Sequence, residues 1–276
     1  MKFRNQKGQA VLIVLLSLSV ILIIALSVMS RSVTDISLST KEEDSLRAFS
    51  AAEAGIERLL VSTTGTILTD QPIGDANFDA KVTNFGNADK VVYPIGLKSG
   101  EIATFWFKRI GDPTVFNGNK VTLCWGSSTL EPPAAEVTVF YKSSNVYQVA
   151  RATFDDPSSS RTPPNNFSSA STSGCTIDNQ TFQFKNQINF ASLGINGSDE
   201  LLYMTVKLLY NNTVSHKIGI KDLSGNGLLP SQGVKINSDG SSADANRSIE
   251  VYQLHPVAPS IFMNAIFSTS GITKNN

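Results

Sequence analysis

The chain opens with a sharp separation of apolar and polar positions. Residues 10–29 read AVLIVLLSLSVILIIALSVM, which is twenty positions without a charge or a proline. An α-helix rises about 1.5 Å per residue, so this run reaches about 30 Å, the thickness of the hydrocarbon core of a bilayer. Its serines are compatible with lipid because their hydroxyls can donate to carbonyls of the same helix. The pattern predicts a transmembrane helix that ends before Arg31.

A second helical pattern follows without interruption. Residues 31–62 contain no proline and a single glycine, Gly55. Apolar side chains recur there at spacings of three and four, at Leu46, Phe49, Ala52, Ile56 and Leu59. We therefore expect one helix from about Gln9 to about Leu60, with a transmembrane half and an amphipathic half. The apolar face of the second half must dock on another part of the protein, and the following domain is the obvious partner.

The charges on either side of the apolar run predict its orientation. Lys2, Arg4 and Lys7 precede it, whereas four acidic residues follow Arg31 within residues 35–44. Cationic flanks stay in the cytoplasm, so the bulk of the chain should lie outside. The alternative is a cleaved signal peptide. A retained helix is favoured because the apolar run is longer than a usual signal core and SVMSRS is a poor cleavage site.

Beyond Ser62 the sequence changes to short runs of strand-forming residues separated by turn-forming residues. Residues 63–79 are rich in turn formers and show no helical stripe. Strands are predicted within 101–110, 120–126, 136–142, 146–154, 201–210, 214–220 and 248–254. Two of the intervals, 143–145 and 211–213, are typical of hairpins. The sequence thus predicts an α+β protein, in which a long N-terminal helix precedes a mainly antiparallel β domain over residues 63–276.

One segment of this domain differs in composition. Residues 155–174, DDPSSSRTPPNNFSSASTSG, are rich in Ser, Pro and Asn, so they form either an exposed loop or a linker between two subdomains. Cys124 and Cys175 lie on either side of its main part. An exported domain favours a disulfide between them, which would close the base of the loop; two separate buried thiols are the alternative.

Other apolar residues are interpreted mainly as core. Trp106 and Trp125 fall within apolar strand patterns. The run 259–268, PSIFMNAIFS, is too short to span a membrane, so we interpret it as core, with an exposed adhesive patch as the alternative.

Charge adds little to this picture. The formal net charge is zero, with 23 basic and 23 acidic residues. Taking the three leader cations from the 23 basic residues leaves 20 against 23 acidic ones, so the remainder is mildly acidic. The sequence has no basic stripe of the kind that binds nucleic acid, and no nucleic-acid partner is expected.

Candidate chemistry is sparse. His216 and His255 have no ligand-type residues at metal-binding spacing, and no nucleophile or nucleotide motif is present. Segments 222–227 and 237–240 are oxygen-rich like calcium loops, but Gly233 replaces the closing glutamate of the first and Lys235 cannot be a ligand in the second. Both are interpreted as turns. We expect no enzymatic activity, no cofactor and no metal.

The N-terminal sixty residues resemble a known family. The basic leader MKFRNQKG, the apolar helix that follows it and the segment RAFSAAEAGIERLL are similar to the N-terminus of type IV pilin-like proteins. The closest resemblance is to PilX-type minor pilins, whose helix carries A-F-x-A-A-E-A, here residues 48–54. The resemblance implies that residues 1–8 are a leader, that Gly8 precedes the prepilin-peptidase cut, and that Gln9 begins the mature chain.

Two positions depart from the family pattern. Gln9 stands where an aromatic residue or methionine is usual, and Ile13 where the family has a glutamate. In the family this glutamate meets the N-terminal amine of a neighbouring subunit. A subunit without it should stack poorly in repeats, which suits a minor or tip subunit better than a major pilin.

Small residues surround Glu53 on the second half of the helix. They allow close approach of a helix or sheet, or they simply reflect the high helix propensity of alanine. Glu53 is either a contact between subunits or part of a solvated helix face. The predicted helix-packing residues are Phe49, Ala52, Glu53 and Ile56.

The resemblance implies a non-enzymatic pilin-like subunit, a minor or tip component of a type IV pilus or of a related secretion pseudopilus. Its helix would sit in the inner or cytoplasmic membrane as a single pass and then exchange lipid for other pilin-like subunits. The implied partners are the membrane, those subunits and the prepilin peptidase. The alternative is a membrane-anchored binding or adhesion module that does not polymerise; an anchored hydrolase has no motif to support it.

Overall fold

A computed structural model describes residues 7–162, 164–222, 225 and 227–257. The chain divides into two compact units. Unit 1 comprises residues 1–82 and 236–251, and unit 2 comprises residues 83–235 and 252–276. A long helix followed by largely antiparallel sheets confirms the predicted α+β class.

The helix α1 runs without a break over Lys7–Leu59, 53 residues. Its sequence lacks proline, which would interrupt the helical hydrogen bonds. Its hydroxyl side chains are satisfied within the helix, as Thr34 donates to the Ser30 carbonyl and Thr40 to that of Ile36. Glu43 and Arg47, one turn apart in the favourable order, form an ion pair of 2.6 Å. The predicted single helix is therefore confirmed.

The strands of the described residues alternate with short turns. In chain order they are β1 (Ile67–Ile73), β2 (Ala76–Phe85), β3 (Lys90–Val92), β4 (Ile102–Trp106), β5 (Lys120–Trp125), β6 (Ala134–Ser143), β7 (Val146–Asp155), β8 (Ser168–Ser169), β9 (Cys175–Ile177), β10 (Gln180–Phe182), β11 (Phe184–Asn189), β12 (Glu200–Leu209), β13 (Ile218–Asp222), β14 (Gly233–Ser242) and β15 (Ala245–Leu254). A short 3₁₀ turn, Ala191–Leu193, follows β11.

One four-stranded sheet has the order β1-β2-β14-β15. Strands β1 and β2 form an antiparallel hairpin around Gly74 and Asp75. Along β2 burial alternates, so Ala76, Phe78, Ala80 and Val82 face inward. No strand was predicted within residues 63–79, where the structure has β1 and the start of β2. The prediction of a turn at residues 237–240 is wrong, because they lie in the middle of β14.

Unit 2 contains two larger sheets, of order β11-β5-β13-β3 and β4-β12-β6-β7-β8, and the β9–β10 pair. Their inward side chains form one apolar cluster with members from both sheets, such as Leu123 and Ile220 from the first and Phe105, Val137 and Met204 from the second. This is the sandwich-type packing that the strand pattern predicted.

One predicted hairpin is present and the other is not. Strands β6 and β7 pair antiparallel from Ser143 and Val146 onward, and the intervening Ser144 and Asn145 both have positive φ, as a tight hairpin turn requires. Strand β12, in contrast, pairs with β4 and β6, whereas β13 pairs with β3 and β5. The predicted hairpin at residues 211–213 is wrong.

The buried Asn211 explains this difference. Its Nδ2 donates to the carbonyls of Leu97 and Val214 at 2.9 and 3.0 Å, which fixes a corner where the chain passes from one sheet to the other. His216 then bridges to Leu97 before β13 begins. Turn-forming residues therefore mark a change of sheet at this point.

The two tryptophans have different environments. Trp125 is fully buried, and its Nε1 donates to the Pro133 carbonyl at 2.9 Å. Trp106 is only half-buried, because in β4 the alternate residues Ala103 and Phe105 face the core. The prediction of a core position is thus wrong for Trp106, which lies on the outer face of its sheet.

The Ser- and Pro-rich segment 155–174 lies inside unit 2 and is fixed to it. Cys124 and Cys175 form a disulfide, the pairing expected from the sequence. Asp155 is fully buried, accepts two bonds from Arg161 at 2.7 and 3.1 Å, and accepts a third from Asn165 at 2.8 Å. Ser168 and Ser169 then pair with the end of β7. Segments 259–268, 223–224 and 226 lie outside the described residues.

We expect Asp155→Asn to lower the free energy of unfolding by about 2–4 kcal/mol, because it leaves the Arg161 guanidinium without its counter-ion. The loss of stability is moderated because Arg161 is partly exposed to water. Burial favours the neutral acid, yet the hydrogen bonds and charge of Arg161 outweigh it and hold the pKa of Asp155 below its ordinary value of 3.8. This stabilisation is therefore present at neutral pH and is lost as the pH falls through the lowered pKa. Denaturant unfolding of the detergent-solubilised chain at several pH values measures both effects.

Asp178→Asn is the matched control, since Asp178 pairs with Lys90 at 2.8 Å on the exposed surface. Such an exposed, solvent-screened pair contributes little to stability. Equal losses for the two variants, or a pH profile unchanged by Asp155→Asn, would contradict the buried-pair account.

Candidate functional site: the N-terminal helix

The first half of α1 exposes apolar side chains on every face. Within the described residues it is the one helix long and apolar enough to span a membrane. Large apolar residues from Val11 to Met29 are all largely exposed, and within the described part of the chain nothing covers them. Gly8 and Gln9, the predicted leader junction, lie in the first turns of the same helix. An apolar surface of this length requires lipid or other protein around it.

The second half of α1 docks on the sheet of unit 1 through small residues. Its buried positions recur at spacings of three and four and are Ala48, Ala51, Ala52, Gly55, Ile56 and Leu59. Four of these six have a side chain no larger than a methyl group. A face of this kind lets the helix backbone come close to the strands.

Two glycines mark the closest approach. A Cβ added to Gly240 of β14 would overlap the carbonyl oxygen of Ala48 and lie 2.6 Å from the nitrogen of Ala52. A Cβ added to Gly55 would overlap the Ser238 hydroxyl and lie 2.8 Å from the Phe78 ring. Helix and sheet therefore touch almost backbone to backbone, and each glycine is required by the available space.

Polar contacts flank this apolar strip. Arg247 of β15 donates to the Ser45 hydroxyl at 2.9 and 2.6 Å. At the hairpin turn, Arg47 reaches Asp75 at 3.6 Å. The Arg58 guanidinium lies 5.2 Å above the Phe78 ring. These contacts fix the rotation of the helix about its axis.

The predicted packing residues divide between two faces. Ala52 and Ile56 are on the docked face, whereas Phe49 is 43% exposed and Glu53 is exposed. Leu46, assigned to the same apolar stripe by its spacing, is 63% exposed. The stripe was misplaced in part: Ile56 and Leu59 are buried, but at Ala48 and Ala52 the sheet comes too close for large side chains. Spacing of small residues, rather than of large ones, was the informative signal.

A second face of the helix remains open. We define the outer stripe as the exposed residues Leu46, Phe49 and Glu53 of the helix together with Leu60, which directly follows it. A cleft of about 460 Å³ lies beside it, between the helix at Arg47 and Ser50 and the β1–β2 turn at Ile73 and Asp75. Exposed apolar residues next to a cleft are typical of a packing surface.

The two histidines lie elsewhere and serve no apparent site. His216 is buried with its Nε2 3.1 Å from the Glu131 carbonyl, and burial lowers its pKa. Burial also lowers the pKa of His255, helped by the charge of Arg109. Among the described residues, no three His, Cys, Asp or Glu side chains are grouped as a metal site requires.

No protein-family model matches the chain, and no curated protein matches it.

We expect Gly240→Ala to destabilise the docking of α1 by about 1–3 kcal/mol, because the added methyl group meets helix backbone that cannot rotate away. Hydrogen–deuterium exchange of the detergent-solubilised chain should then show faster exchange in residues 44–59. Gly197→Ala is the matched control, since a Cβ at Gly197 meets no atom within 4 Å. Unchanged protection of residues 44–59 in Gly240→Ala would contradict the close approach.

Proposed function

We propose that this chain is a non-enzymatic pilin-like structural subunit, a minor or tip component of a type IV pilus or a related filament. The observation that carries the proposal is the division of α1 into an uncovered apolar half and a half docked on a β sheet. A subunit of this design can be held in lipid by its first half and later exchange lipid for neighbouring helices.

The outer stripe supports the same proposal. Leu46, Phe49 and Leu60 stay exposed although the helix has a well-packed face on the other side. In a lone subunit much of their apolar surface stays in water. In an assembly they would continue, beyond the membrane, the apolar surface through which the first half of α1 meets its neighbours, with Glu53 at the contact between subunits.

Localisation follows from two further features. The cationic residues before the helix favour a cytoplasmic N-terminus, which would put the β units outside the inner or cytoplasmic membrane. The disulfide between Cys124 and Cys175 is consistent with an oxidising compartment on that side. Partners would be the membrane, other pilin-like subunits and a prepilin peptidase.

We expect the protein purified from membranes of its native host to begin at Gln9, with the eight leader residues removed. Intact-mass spectrometry measures this directly, and Gly8→Arg, which changes the residue before the cut, should retain Met1. A wild-type chain that still begins at Met1 would contradict processing and would favour a membrane-anchored adhesion module that does not polymerise. A chain that begins near Arg31 would overturn the retained helix as well.

We further expect the double variant Leu46→Glu/Phe49→Glu to disappear from sheared filaments while remaining in the membrane. Carboxylates buried between helices without partners would cost several kcal/mol per subunit. Immunoblots of filament and membrane fractions measure the distribution.

Leu130→Glu is the matched control, because Leu130 is 65% exposed but lies far along the chain, in unit 2. Thermal unfolding in detergent should be unchanged for both variants, since neither site is buried. Normal incorporation of the double variant into filaments would show that the outer stripe is not a packing surface.

A further inference from the structure

The outer face of the five-stranded sheet in unit 2 carries a row of aromatic side chains. Trp106 of β4 pairs with Tyr203 of β12, and Tyr203 pairs with Phe140 of β6. The Trp106 and Tyr203 ring centroids are 5.1 Å apart, and Tyr203 stacks on Phe140 at 4.4 Å with planes inclined by 17°. We call these three residues the aromatic row. They face away from the core, since their neighbours along each strand point into it.

A cleft of about 460 Å³ opens at one end of this row. Trp106 and Tyr203 form its floor, and Tyr147 of β7 borders it with 74% of its surface exposed. Ile110, on the loop after β4, is 97% exposed at the rim. Aromatic surface left open in this way is costly in water, and a cleft of this volume suits a small ligand.

The charges of the cleft are unbalanced. Lys108, Arg109 and Lys142 line it, and Glu200 is its single carboxylate. Glu200 is already engaged by Lys108, whose hydrogen bond holds the pKa of Glu200 below its ordinary value. The Lys142 ammonium lies 5.7 Å above the Tyr147 ring. The cleft therefore combines open aromatic faces with an excess of two positive charges.

A second cleft, of about 550 Å³, shares Lys108 and Glu200 with the first. Its lining is rich in amide, hydroxyl and carboxylate groups, among them Asn117, Asn119, Asn196, Ser198 and Asp199. Amides and hydroxyls both donate and accept hydrogen bonds, as sugar hydroxyls do. The two clefts adjoin at these shared residues, and we call them together the groove, with an aromatic half and a polar half.

We propose that this groove binds an acidic oligosaccharide. A pyranose ring presents a flat face of C–H groups, which packs on the electron-rich faces of Tyr147 and Trp106. Its carboxylate would meet Lys142 and Arg109, and the following sugars would lie against the amides of the polar half. The proposal is independent of filament assembly, because every residue in it belongs to unit 2.

A single-stranded nucleic acid is the less favoured occupant. Such a strand binds along a basic track with aromatic rings open to successive bases. Here Tyr203 and Phe140 stack on each other, and the polar half adds Asp199 rather than further cations. The lining offers amide and hydroxyl partners beside its cations, which matches a ligand whose units carry hydroxyls as well as carboxylates.

The test is titration of the full chain in detergent with a tetramer of galacturonic acid, followed by tryptophan fluorescence. Trp125 is fully buried, so a change on binding reports Trp106, and Trp106→Phe should remove it. We expect saturable binding that Tyr147→Ala weakens about tenfold through lost stacking. Lys142→Gln should weaken binding of the acid tetramer but not of its fully methyl-esterified form, which is the matched neutral probe.

Leu130→Ala and Lys98→Gln, both at exposed positions outside the groove, should bind like the wild type. The proposal is overturned if the acid tetramer shows no saturable binding, or if the two controls lose as much affinity as Tyr147→Ala. It is also overturned if a ten-residue oligothymidylate binds more tightly than the tetramer and loses affinity in the same variants.

Discussion

Unit 1 depends on one close approach, between the backbone of α1 and the strands beneath it. Gly240 and Gly55 leave room for helix and sheet to meet without intervening side chains, and Ala48 and Ala52 complete the contact. Because small residues form this contact, it buries little apolar area per residue. Its stability therefore depends on close packing. Of the larger apolar side chains in this half of the helix, Ile56 and Leu59 are buried, whereas Leu46 and Phe49 remain exposed in the outer stripe. One steric constraint thus determines both the docked surface and the open one.

The two halves of α1 have opposite requirements that a single helix satisfies. The first half needs an apolar environment on all sides, and the second needs one specific neighbour and leaves its remaining surface in water. A continuous backbone couples them, since neither proline nor an interior break interrupts residues 7–59. The division supports a subunit that keeps its β units folded whether its helix is surrounded by lipid or by protein.

Periodicity predicted the helix and the central strands of unit 2 because these elements bury long apolar residues at regular spacing. It did not predict β1, β2 and β14, whose inward positions include Ala76, Ala80, Ser238 and Gly240, and whose outward positions are polar. Small and polar residues of this kind are also typical of turns, so the sequence alone does not distinguish these strands from turns. Turn residues also could not reveal that β12 and β13 belong to different sheets. The aromatic row could not be predicted from residue spacing, because it depends on the register in which three strands pair.

The exposed stretch between the apolar run and the docked face has a mechanical consequence. From Ser30 to Glu42 every residue of the helix is exposed, a stretch of thirteen residues, or about 20 Å at the standard rise. Its charged side chains, including Arg31, Asp35 and Lys41, suit water rather than lipid. If the apolar run occupies a bilayer, this stretch is a rigid helical spacer that keeps the sheet of unit 1 away from the lipid headgroups. A pull on that sheet would then be transmitted to the membrane through a single column of hydrogen-bonded turns.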